Sequence, residues 1–241
     1  MKKNIPNFIT ILNLILGLLA ISFLFQGQYT DLIIFMVYGC LLLDFMDGFI
    51  ARKLNSTSAF GKQLDSLSDL ISFGILPTLI IFLWFDANSS IPNLKYFSFL
   101  IIVCSAVRLA KFNVDNSNQL SFNGLPTPAN AFFFISLIHY SSCYNLPFPL
   151  LGYCSFLFEN LTDKILLFLV FIFSFLMVSD IHFLSLKFKS YFLKDNLEAY
   201  FLILCSLLIL IFIGHELLFL IILPYVFLSI FRSLLIKNKS K

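Results

Sequence analysis

Apolar runs of about 20 residues recur along the chain, separated by short polar stretches. As helices, such runs cross the ~30 Å hydrocarbon core of a bilayer. The pattern predicts eight of them, over 7–27, 31–51, 64–85, 96–113, 128–145, 164–184, 197–213 and 217–235. The fold expected is therefore an all-α integral membrane protein: a bundle of about eight transmembrane helices with a polar cavity open to the cytoplasm. The first run follows Lys2 and Lys3, as a secretory signal would, but no small-x-small cleavage site follows it. It is expected as a helix of the mature protein. Neither an internal repeat nor a low-complexity linker divides the chain, so residues 1–241 are expected to form one domain.

Composition agrees with this pattern. Of the 241 residues, 59% are hydrophobic and 12% charged, where soluble domains carry about 25% charged residues. A soluble core of this length could not hide so much apolar surface. The positions of Lys and Arg set an orientation. With eight spans and a cytoplasmic N-terminus, 14 basic residues fall on the cytoplasmic side, and Lys95 and Lys164 on the other. The formal net charge of +3 thus reads as membrane topology; a nucleic-acid surface would gather its basic residues, whereas these are scattered over separate loops. The five cysteines form no C-x-x-C pair and read as small packing residues. Cys143 and Cys154 could share an outer loop, and whether they pair is left open.

The stretch "DFMDGFIARKLNSTSAFGKQLDSLSD" breaks the apolar pattern. Asp44 and Asp47, three apart, share a face near the end of the second span. Asp65 and Asp69, four apart, share a face at the start of the third. Asn55, Ser56, Thr57, Ser58 and Gly61 between them suit a short helix–helix connection. An antiparallel pair joined this way brings four carboxylates toward one point. Such a cluster needs countercharge, and oxygen-only ligands suit Mg²⁺ or Mn²⁺. Gly48 lets a ligand approach the helix backbone, and Arg52, one turn on, can grip a phosphate. Divalent ions, Arg52 and close backbone approach together describe a diphosphate site.

The pattern D-x-x-D-G-x-x-A-R-x8-G-x-x-x-D-x-x-x-D is the signature of the CDP-alcohol phosphatidyltransferases, and this chain resembles them at every fixed position: Asp44, Asp47, Gly48, Ala51, Arg52, Gly61, Asp65 and Asp69. The resemblance implies that Asp44 and Asp65 bridge two metal ions and that Asp47 completes the first site. Asp69 would help hold the second ion and act as general base, the catalytic residue. Gly48, Arg52, Ser58 and Gly61 are implied at the CDP-diacylglycerol donor. The opening "IPNFITILN" resembles the family's donor-binding element, making Asn7 and Thr10 donor contacts, with Asn13 a weaker third. A homodimer is usual in the family and is the implied assembly.

The signature does not name the acceptor alcohol. "SAVRLAKFNV" (105–114) and "FNGLPTPANA" (122–131) resemble the serine-using branch of the family. L-Serine brings a carboxylate, which wants a cation near the acids; Arg108 and Lys111 lie three apart on one face, and Asn113 adds a polar group. These three are the expected acceptor contacts. "GLPTP" is expected as a rigid turn into the fifth span. Two rivals stand beside this reading. The same chemistry could use glycerol 3-phosphate or an inositol phosphate, which should call for a denser basic pocket. A transporter with an acidic cation site would instead distribute its acids through the midplane. The expected setting is a cell membrane, the inner one in a bacterium, with the site facing the cytoplasm. The later spans, over 164–235, carry no recognised motif.

Overall fold

The computed structural model describes residues 4–27, 31–114, 122–142, 162–184, 200–202, 204–206, 208 and 215–239. Its helices are α1 (Ile5–Phe25), α2 (Asp31–Lys53), α3 (Ala59–Asp69), α4 (Leu76–Asn88), α5 (Phe99–Val114), α6 (Thr127–Ser142), α7 (Asp163–Val178) and α8 (Ile222–Lys239). A π-helical turn, Leu70–Ile75, joins α3 to α4 without a break. Short 3₁₀ segments lead into α5 and α8. Among the described residues, five helices are long and apolar enough to cross a membrane: Ile5–Phe25, Leu32–Lys53, Ala59–Asn88, Leu94–Val114 and Leu218–Leu235. They correspond to the first four expected spans and the last. α6 and α7 have 16 residues each, about 24 Å of helix. The expected run 197–213 falls mostly outside the described residues, as do Cys143 and Cys154.

Burial follows the logic of a lipid solvent. α1 turns Pro6, Thr10, Asn13, Gly17, Ala20 and Leu24 inward, a stripe of small and polar residues spaced three and four apart. Phe8, Ile15 and Leu18 on the same helix face outward. Small residues let membrane helices approach closely. A side chain at Gly17 would collide with the Ser72 hydroxyl, and one at Gly39 would meet Leu16. α1 consequently packs along both α2 and α3.

The π turn has a local cause. Pro77 stands in the first turn of α4, and its ring would meet a carbonyl four residues back in a regular helix. Widening the preceding turn lets the Leu76 N–H reach the Ile71 carbonyl instead. Thr78 Oγ1 donates back to the Gly74 carbonyl at 2.7 Å. The chain thus passes Pro77 without a break in its helical path, and Asp69 is held at the turn's entrance.

One boundary departs from expectation. The apolar run 164–184 predicts helix throughout, but α7 ends at Val178. Ser179 adopts extended geometry (ψ 154°), and His182–Phe183 pairs as an antiparallel ribbon with Phe122–Asn123. The backbone groups released there are satisfied by the "GLP" turn: Gly124 N–H donates to the Ile181 carbonyl and Leu125 N–H to that of Leu176, both at 2.9 Å. This clasp ties the entrance of α6 to the exit of α7. Gly124 has φ 79°, and a Cβ there would run into the Met177 carbonyl. Left-handed geometry alone costs a non-glycine residue ~1–2 kcal/mol. Gly124→Ala should lower the thermal midpoint of the detergent-solubilised protein by about 2–8 °C. A midpoint within about 1 °C of wild type would show that the clasp contributes little.

Candidate active site

The acids come together, though not through a packed α2–α3 pair. α2 and α3 each lean on α1, which stands between them as a wedge, and their acidic faces meet across a gap. Carboxylate oxygens of Asp44, Asp47 and Asp65 all lie within 4.8 Å of one another. Asp47 is buried, and Asp44 and Asp65 are half-buried. Asp69, one turn deeper on α3, is buried and stands outside that trio. It lies in electrostatic reach of Asp44, Asp65 and Arg108.

α1 does more than fill space. Thr10 Oγ1 lies 2.6 Å from Asp47 Oδ2 and 3.1 Å from the Pro6 carbonyl. The single hydroxyl proton goes to the shorter, charge-assisted contact, which fixes one oxygen of Asp47. Ser68 Oγ donates to the Thr10 carbonyl at 3.2 Å, and Ser72 Oγ to Asn13 Oδ1 at 3.0 Å. The register between α1 and α3 is thereby set at the level of the acids. Asn13 thus holds the helices together behind the site.

In front of the trio opens a cavity of about 500 Å³. Its lining includes all six expected donor contacts, Asn7, Thr10, Gly48, Arg52, Ser58 and Gly61, together with Asp47 and Asp65. Arg52 is exposed at its rim. Ser58 also caps α3, its Oγ accepting the Gly61 N–H at 2.9 Å. Gly61 is required by space, since a Cβ there would press on Asn7 Oδ1 and Ser58 Oγ. Lys62 and Phe112 also line the cavity, which sequence reasoning missed. Lys62 Nζ donates to the Phe112 and Asn113 carbonyls, at 2.9 and 3.3 Å, and sits 4.9 Å from the Phe112 ring centre. A basic residue in a connection is ordinary in sequence; only the fold puts it on the cavity wall.

The expected acceptor residues separate. Arg108 is buried behind the acids, within electrostatic reach of Asp44 and Asp69, and its Nη1 donates to Thr127 Oγ1 at 3.0 Å. Lys111 is exposed and donates to the Val178 carbonyl at 3.3 Å, closing the end of α7. Asn113 bridges α5 to α3, donating to Gln63 Oε1 and accepting from Ser66 Oγ, both at 3.1 Å. Of the three, Arg108 alone is brought to the acid cluster.

Fold and site together define a helical membrane protein with a carboxylate cluster beside a cavity that Asp47 and Asp65 line. The CDP-alcohol phosphatidyltransferase family model matches residues 3–158, and the chain belongs to that family. It is 32% identical over 204 residues to the CDP-diacylglycerol–serine O-phosphatidyltransferase of Helicobacter pylori (strain ATCC 700392 / 26695), covering 84% of this chain and 79% of the relative. The Bacillus subtilis (strain 168) protein of the same name is 34% identical over 199 residues, 81% of this chain and 96% of the relative. The Methanocaldococcus jannaschii counterpart is 32% identical over 177 residues, 73% and 72%.

Proposed function

We propose that this chain transfers the phosphatidyl group of CDP-diacylglycerol to the hydroxyl of L-serine, giving phosphatidylserine and CMP. The observation that carries the reading is the trio of carboxylates within 4.8 Å, two of which, Asp47 and Asp65, line the cavity that gathers the expected donor residues. The names of the relatives support serine as the acceptor.

The acids suit one or two divalent ions, Mg²⁺ or Mn²⁺. All donors in the cluster are hard oxygens, and Asp65 Oδ1 and Asp69 Oδ1 are buried without a hydrogen-bond partner among the described residues. Asp44, Asp47 and Asp65 would hold the first ion, and Asp44, Asp65 and Asp69 the second. Bound there, the metal supplies Lewis-acid stabilisation of charge on the diphosphate. Arg52 and the open backbone at Gly48 hold the diphosphate from the other side, while Asn7, Thr10, Ser58 and Gly61 orient the cytidylyl end. Asp69 takes the proton from the serine hydroxyl, whose oxygen attacks the phosphorus carrying the diglyceride. CMP departs, and no covalent enzyme intermediate is needed. Arg108 faces the serine carboxylate, and Lys111 and Asn113, bonded to Val178, Gln63 and Ser66, hold the helices around it.

The same reading puts the active site on the cytoplasmic side of a cell membrane, with eight spans forming one domain over residues 1–241 and two copies forming a homodimer. The distribution of basic residues supports the orientation. Purified protein given CDP-diacylglycerol, Mg²⁺ or Mn²⁺, and L-serine should release CMP; glycerol 3-phosphate and inositol phosphate should not replace serine. CMP with another alcohol alone would overturn the acceptor, and CMP with none of them would overturn the enzyme. A transporter is disfavoured because the acids gather at one end of the bundle beside Gly48 and Arg52, away from a central ion path.

A further inference from the structure

Behind the acid cluster lies a buried polar layer that this scheme leaves unused. Asn130 on α6 is fully buried, and neither its Oδ1 nor its Nδ2 has a partner among the described residues. Its backbone N–H is already satisfied by the Pro126 carbonyl at 3.0 Å, so the side chain plays no part in starting the helix. A buried amide without partners carries its whole desolvation cost, and such groups in folded proteins call for a ligand or a water.

Its neighbours indicate what that ligand is. Asn130 lies three residues beyond Thr127, on the same face of α6, and Thr127 Oγ1 holds Arg108 Nη1. Arg108 Nε is likewise buried without a partner among the described residues, as is Asp69 Oδ1. α6 packs against α2, where the Tyr38 and Phe132 rings meet at 5.8 Å. Arg108, held by Thr127 one turn before Asn130, lies in electrostatic reach of Asp44 and Asp69. Tyr225 of α8, its hydroxyl donating to the Leu184 carbonyl at 3.0 Å, is also in reach of Arg108 and closes the layer from the C-terminal side.

We propose that Asn130 is a specificity-determining residue for an amino-acid acceptor, its amide completing with Arg108 a pocket for the carboxylate and ammonium of serine. Arg108 Nε and Asn130 Nδ2 donate to the carboxylate. Asn130 Oδ1 accepts from the ammonium, and the hydroxyl is left toward Asp69. A phosphate-bearing polyol would use the donors but offer Oδ1 only a neutral hydroxyl, a weaker donor than an ammonium. The proposal rests on the serine reading above and adds a residue to it.

The test uses full-length protein in detergent with Asn130→Ala and Asn130→Ser. Both should raise the KM for serine about 10- to 100-fold, as loss of hydrogen bonds to charged groups does, and change kcat less. The thermal midpoint without substrate should hold or rise, because the substitutions remove orphaned polar atoms. Serine should shift the midpoint of wild type in the presence of donor and shift neither variant. A KM within twofold of wild type in both variants overturns the proposal. So does a fallen substrate-free midpoint or failure to fold, which would make Asn130 structural. If wild type itself uses another alcohol and not serine, the functional reading fails first, and that outcome is visible before any variant is made.

Discussion

Asp69→Asn should release CMP from CDP-diacylglycerol and serine about 10²- to 10⁴-fold more slowly than wild type, the usual range for removing a positioned general base. Asn matches Asp in size, so packing at this buried position is kept. What is lost is the ability to accept the serine proton, together with one charged ligand of the second ion. The geometry favours a base here: Asp69 stands outside the close trio, and its Oδ1 has no hydrogen-bond partner among the described residues. It ends α3 where the π turn begins, so its backbone is held by both. CDP-diacylglycerol should still stabilise the variant against heat, because Asp69 does not line the donor cavity. Excess Mn²⁺ should not restore the rate if the loss is one of proton transfer. Turnover within about threefold of wild type would remove Asp69 from that role.

The acids are readable in the sequence because helical spacing carries them: three and four residues apart on neighbouring helices is local information. That the expected donor residues share one cavity is readable for the same reason, with every member falling on α1 or within the fixed-spacing segment. What the spacing cannot show is that α1 is the wedge between the acidic helices. The bonds that make it so link residues 37 and 59 apart, Thr10 to Asp47 and Asn13 to Ser72, and an apolar helix pattern does not say which helices become neighbours. The same blindness explains Lys111 and Asn113. In sequence they are a cation and an amide facing a substrate; in the fold both are engaged by carbonyls or side chains of other helices. The end of α7 is hidden for another reason. Its expected span runs past Val178 to residue 184 although Ser179, Asp180 and His182 interrupt it, and the extended segment there pairs with Phe122–Asn123, far away in sequence.

Chelating divalent cations should abolish CMP release, and Mg²⁺ or Mn²⁺ should restore it. Three carboxylates within 4.8 Å repel one another by ~3–4 kcal/mol per pair even at an effective dielectric of about 20. Protein cations do not answer that charge as ion pairs. Among the described residues no acid of the cluster takes part in a salt bridge. Arg52 is exposed at the cavity rim, and Arg108, though in electrostatic reach of Asp44 and Asp69, makes its side-chain hydrogen bond to Thr127 and not to an acid. A bound divalent ion is the neutralisation that the oxygen-only donor set fits best. Asp44→Asn and Asp65→Asn should each lower turnover about 10²- to 10⁴-fold, the rate equivalent of losing several kcal/mol of charge stabilisation. They should also weaken Mn²⁺ binding measured without substrate by paramagnetic resonance, a readout independent of catalysis. Full turnover in a metal-free preparation would overturn the metal assignment. Undiminished Mn²⁺ binding in both variants would move the ion away from this trio.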